Sequence, residues 1–152
     1  MNIDLLFYAT LIFVNFLILL CVFFFDGKHR KIPNKLNKIA LVFSIIVALY
    51  NGYLMSSLPI AALFFLVFLV LWYLGVIGAG DVKLLSALLI GIQPDLVTIT
   101  LICVGLLGGL LVFTMYIAGK MKELPSFAKG IPYGIPIALS CFFFTTISIL
   151  SN

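Results

Sequence analysis

The chain has 152 residues, 64% of them hydrophobic and only 9% charged, with a formal net charge of +4 and a mean hydropathy of +1.33. A water-soluble fold of this length needs a polar shell that nine basic and five acidic side chains do not supply. Those values exclude a soluble enzyme and leave a polytopic membrane protein, a single domain over residues 1–152 with no nucleic-acid partner.

The opening stretch, MNIDLLFYATLIFVNFLILLCVFFF, has no basic n-region and no small-residue cleavage site before Asp26. It therefore reads as a retained first helix and not as a signal peptide. Apolar segments follow at about residues 5–25, 39–55, 58–77, 95–118 and 134–150. Each is near the ~20 residues that cross ~30 Å at ~1.5 Å per residue. A further segment, Val82–Gln93, has only 12 residues and would rise about 18 Å.

Charge decides whether that short segment crosses. The stretch DGKHRKIPNKLNK carries Lys28, Arg30, Lys31, Lys35 and Lys38, and GKMKELPSFAKG carries Lys120, Lys122 and Lys129, which together are eight of the nine basic residues. Both are expected on the cytoplasmic side. Counting crossings from Lys38 returns the chain inside at Gly78, and the segment at 95–118 must also end inside, so the short segment has to cross. The expectation is an all-α membrane protein of six transmembrane helices, the fourth short, with both termini outside. Local thinning, or an inward dip of the loop QPD, would make up the missing ~10 Å.

On this count Asp26 closes the first helix and Asp81 opens the fourth, both at the cytoplasmic interface. Asp4 and Asp95 fall on the outer side, and Glu123 lies among lysines. A carboxylate at membrane depth is costly and marks a functional site by default. Two carboxylates a few Å apart do not both ionise cheaply: one keeps its proton, the other acts as a base, and a water between them is activated to attack a carbonyl. The stretch GAGDVK suits this chemistry, because Gly78 and Gly80 permit a tight turn and Asp81 would then cap the following helix, whose N-terminus favours a negative charge. Asp26 is the better candidate for the protonated partner, and Lys83 is a candidate to orient Asp81.

Three stretches carry a resemblance. GAGDVK is similar to the GxGDxK motif of the GxGD membrane aspartic peptidases. DGKHRKIPN resembles the other half of the site in type IV prepilin peptidases, an aspartate followed by Ile32, Pro33 and Asn34. KGIPYGIPIALS resembles that family's Pro-Tyr-Gly segment, here Pro132, Tyr133 and Gly134, entering the last helix. The resemblance implies an aspartic endopeptidase that removes the leader of type IV pilin-like precursors at the cytoplasmic face of the cell membrane, with Asp26 and Asp81 catalytic and Ile32–Asn34 and Pro132–Gly134 bordering the substrate channel. Larger family members carry a cysteine-rich cytoplasmic insertion associated with N-methylation. Here about 13 residues join the first two helices, so no methyltransferase activity is expected, and the chain looks like the short peptidases of Flp-type pili, with archaeal preflagellin peptidases similar in plan. Presenilin-like enzymes set both aspartates within helices and use a Tyr-Asp motif absent here.

Blander readings stand beside these. Cys21, Cys103 and Cys141 are scattered singly without metal-ligand spacing, so neither metal nor cofactor is expected. The basic stretches are topology signals that also meet anionic lipid, and His29 is a solvated loop residue. Pro33 and the Pro-Tyr-Gly segment could be simple helix starts, and GLLGG, with Gly105, Gly108 and Gly109, a site of close helix packing. A small transporter would also keep charges in the membrane, though nearer its middle. A non-enzymatic assembly factor for a pilus or secretion machine would need a partner surface in place of the carboxylate pair.

Overall fold

The computed structural model describes residues 3–122 and 131–151. Glu123 and Lys129 lie outside the described residues, as do the side chains of Asp4, Lys120 and Lys122. The described residues form six helices and no strand: α1 Ile3–His29, α2 Asn34–Tyr50, α3 Leu54–Tyr73, α4 Ala79–Ile90, α5 Pro94–Lys122 and α6 Gly134–Leu150. Three stretches, Leu5–His29, Leu54–Tyr73 and Pro94–Gly119, are long and apolar enough to cross a membrane.

Several boundaries differ from the sequence expectation: α2 and α3 each lie four or five residues earlier, α4 starts at Ala79 and not at Val82, and α5 runs on to Lys122. α1 does not close at Asp26 but runs one turn further to His29, because nothing before Arg30 breaks it. Arg30 then takes a left-handed φ of 54°, and Pro33 restrains Ile32 to an extended conformation. Pro33 is the N-cap of α2, so only residues 30–33 join α1 to α2, and Lys35 and Lys38 are helical. At the end of α3 the reversal uses Gly75, whose φ of +74° favours glycine.

α4 is the centre of the bundle. Seven of its 12 residues are buried, Leu84 and Leu89 almost completely, and α2, α3 and α6 pack around it. α1 packs mainly on α6, and α5 also leans on α6. α3 fully buries only Ser57 and Ala61, leaving an apolar outer face suited to lipid. Lipid tails are as apolar as leucine, so helix association there depends on close packing and interhelical hydrogen bonds worth ~0.6–2 kcal/mol each. Both occur here. A Cβ on Gly91 would lie 3.1 Å from the Ser44 Cα, so the end of α4 meets the backbone of α2. Asn15 Nδ2 donates to the Phe142 carbonyl (3.1 Å), and Tyr53 Oη donates to the Gly91 carbonyl (2.8 Å).

The Gln93 amide donates to Ser148 Oγ at 2.9 Å. Residues 91–93 therefore carry the chain from the end of α4 to the end of α6, although α4 itself rises only about 18 Å. The helix starts that matter for chemistry, those of α2, α4 and α6, all lie at the opposite end of the bundle, together with the last turn of α1.

Candidate active site

Asp26 and Asp81, 55 residues apart in the chain, line one cavity of about 450 Å³. Arg30, Lys31, the turn 75–80, Ile131 and Tyr133 complete its wall. The two carboxylates are close enough for their charges to repel.

Asp26 is 3% exposed and sits where the C-terminal dipole of α1 disfavours an anion. α6 counters this. Its first amides, those of Gly134 and Ile135, face the Asp26 carboxylate, and the Arg30 charge attracts it. Oδ2 of Asp26 has no hydrogen-bond partner among the described residues, which leaves a buried acceptor lone pair, at a cost of ~1–3 kcal/mol, turned toward the cavity's polar groups.

Asp81 was expected to cap its helix, but Gly78 is the N-cap and makes no side-chain capping bond. Asp81 is the third residue of α4, inside the first turn, where the helix N-terminus still favours negative charge, and the Gly78 amide faces its carboxylate. Both aspartates are therefore helical, and the contrast drawn with presenilin-like enzymes on that point does not hold. Each carboxylate meets the N-terminus of a helix, its own for Asp81 and a distant one for Asp26.

The glycines around the pair act by size. A Cβ on Gly78 would lie 2.8 Å from Asp81 Oδ2, and a Cβ on Gly134 would lie 2.8 Å from both Asp26 Oδ2 and Ile32 Cδ1. Gly80 packs its open face on Ile32, where a Cβ would sit 3.4 Å from the Ile32 Cβ. Ile32 is thus wedged between the glycine turn before α4 and the start of α6, tying the two halves of the site together. The conformational freedom expected of Gly78 and Gly80 is used at Gly75 instead.

Of the other expected residues, Tyr133 lines the cavity and is the N-cap of α6, while Pro132 is buried behind it. The Tyr133 ring rests on Gly108, where a Cβ would lie 2.8 Å from Cε1. GLLGG therefore has one close neighbour, a ring and not a helix backbone, for Gly105 and Gly109 face open space. Asn34 and Lys83 stand apart from the carboxylates. Lys83 Nζ donates to Asn34 Oδ1 at 3.2 Å, and both line a separate groove between α2, α3 and α4. Positions two apart on a helix do not share a face, which directs Lys83 away from Asp81.

Three contributors were missed. Asn37, 6% exposed, donates from Nδ2 to the Gly80 carbonyl at 3.4 Å; an amide inside an apolar helix was its signal. Arg30 and Lys31 were read only as topology signals, yet they line the carboxylate cavity.

The model of the type IV leader peptidase family matches residues 12–113, about two thirds of the chain, including both aspartates. The chain belongs to this family. No curated protein and no solved structure showed significant similarity to it. The family match ends before Pro132, Tyr133 and Gly134, so the place of the α6 start in this peptidase's site rests on the geometry alone.

Proposed function

We propose that the chain is a membrane-embedded aspartic endopeptidase that removes the leader of type IV pilin-like precursors, with Asp26 and Asp81 as its catalytic pair. The observation that carries this reading is that the two carboxylates, from distant parts of a leader-peptidase chain, line one cavity. The pair shares one proton. Its ionised member takes a proton from water as the water oxygen attacks the scissile carbonyl, and its protonated member hydrogen-bonds to and then protonates the carbonyl oxygen. Collapse of the tetrahedral diol breaks the C–N bond: the proton gained from water passes to the leaving amine, and the other carboxylate takes a proton back from a diol hydroxyl as the carbonyl re-forms, which restores the pair with its one proton. Two helix N-termini, those of α4 and α6, steady the single negative charge throughout.

On this reading the chain crosses six times with both termini outside, and the cavity opens at the cytoplasmic face of the cell membrane; the basic residues Lys28, Arg30, Lys31, Lys35 and Lys38 beside it support that side. The substrate is a precursor with a short basic leader followed by one apolar helix, recognised by lateral docking of that helix, as in Flp-type systems. The short link of four residues between α1 and α2 supports a peptidase that trims the precursor without N-methylating it. Asp26→Asn and Asp81→Asn should each abolish processing of a membrane-inserted precursor, the double variant should be no worse than either single one, and Asp95→Asn, on the exposed far end, should cleave normally. Substantial activity in either single variant would refute the pair.

A further inference from the structure

A second cavity, of about 320 Å³, adjoins the carboxylate cavity, and Ile77, Asp81 and Tyr133 line both. The remainder of its wall is apolar, with Phe64 and Phe68 of α3, Leu85 of α4, and Leu101 and Gly105 of α5. Phe64 and Phe68 stack with ring centroids 6.1 Å apart. The cavity runs deeper along the bundle than the carboxylates, since Phe64 stands nine residues before the end of α3, about 14 Å of helix rise. α3 and α5 touch little along their length, α3 packing mainly on α4 and α5 on α6. The bundle wall between them is not closed by helix packing.

We infer that this cavity is the subsite for an apolar side chain in the first turn of the mature segment, that the precursor helix reaches it between α3 and α5, and that Gly105 sets its size. The inference rests on the leader-peptidase reading and adds to it the side of the bond that each cavity serves. Continuity at Asp81 means that a peptide bond held at the carboxylates extends one neighbour into the apolar cavity. Polarity fixes the direction. The carboxylate cavity is walled by Arg30, Lys31 and the two aspartates and is costly for an apolar side chain, whereas among the described residues Asp81 is the one charged group lining the apolar cavity. A precursor that passes from a polar leader to an apolar helix has the same gradient, so its mature side lies in the apolar cavity.

Gly105 supplies the size argument. A glycine inside a helix costs ~1 kcal/mol relative to alanine, and that cost is commonly offset by a close neighbour, as Tyr133 is for Gly108. At Gly105, exposed on α5 in the wall of this cavity, a Cβ would meet no described residue within 4 Å. What the missing side chain leaves is cavity volume, and 320 Å³ is room for about ten waters at ~30 Å³ each, enough for a large apolar side chain.

The test uses the full chain in lipid vesicles with a panel of membrane-inserted precursors carrying Ala, Leu or Trp at each of the first four mature positions. The wild type should prefer Leu or Trp over Ala at one of these positions. Gly105→Phe, whose Cβ meets no described residue within 4 Å and whose ring takes up cavity volume, should reverse that preference by at least the roughly 10- to 200-fold that one methylene produces in an apolar pocket, and Gly105→Leu should give a smaller shift of the same sign. Gly109→Phe, equally open but lining neither cavity, should leave the preference unchanged. Size-indifferent cleavage by the wild type, or an equal loss across the panel in Gly105→Phe, would overturn the subsite and leave lipid as the occupant. A wild type that cleaves no member of the panel would overturn the leader-peptidase reading itself.

Discussion

Gly134→Ala is the smallest change that moves one carboxylate without touching its chemistry. The added Cβ would lie 2.8 Å from Asp26 Oδ2 and 3.1 Å from Asp26 Cγ, where ordinary contact begins at 3.4 Å. The Asp26 carboxylate must therefore retreat by roughly 0.6 Å, beyond the ~0.5 Å within which a catalytic group keeps its productive geometry. A displacement of about 1 Å costs ~100-fold in rate, so kcat/KM for precursor cleavage should fall about 10- to 100-fold. Stability should fall by no more than ~2 kcal/mol. Overpacking costs ~1–3 kcal/mol, and the gain in helix propensity returns up to ~1 kcal/mol. Cleavage would be followed by the mobility shift of the trimmed product in lipid vesicles, with thermal unfolding measured in parallel. The same Cβ also meets Ile32 Cδ1 at 2.8 Å, so Gly134→Ala combined with Ile32→Val, which lacks that atom, separates the two clashes. The double variant should stay as slow as Gly134→Ala. Recovery in the double variant would assign the effect to Ile32, and wild-type activity in Gly134→Ala would show that the position of Asp26 does not limit the reaction.

Lys83→Met should lower activity less than twofold, because the ammonium is bound to Asn34 on another face of α4; a tenfold loss in the cleavage assay would place it in the carboxylate network after all. Tyr53→Phe removes the hydrogen bond to the Gly91 carbonyl, costing about 1–3 kcal/mol. It should lower Tm by roughly 2–4 °C per kcal/mol with little change in cleavage, since it loosens the end of α4 remote from the carboxylates.

The sequence alone determined the class of the molecule and singled out Asp26 and Asp81, which the fold brings to one cavity. Hydropathy is a sum over residues, so the helical segments were legible without tertiary information. Charges that are costly in lipid stand out against such a background, which is why Asp26 and Asp81 were visible. The glycines beside them were visible too, but as turn formers, because a sequence shows that a side chain is missing and not which neighbour fills the space. Only the structure shows that Gly78 and Gly134 yield to carboxylates and Gly108 to a ring. It also extends α1 past Asp26, since helix ends depend on the breakers that follow, here Arg30 and Pro33, more than on the polar residue that seems to close an apolar run. Lys83 and Asn37 were decided by helical phase. The two lie on different helices, and the side of the bundle on which each side chain emerges is fixed when α2 packs against α4. Helical phase within α4 turns Lys83 away from Asp81, and the packing brings Lys83 to Asn34 and Asn37 to the Gly80 carbonyl. The apolar cavity beside Asp81 has no sequence signature at all, because its walls come from four helices and its volume from a glycine with no neighbour.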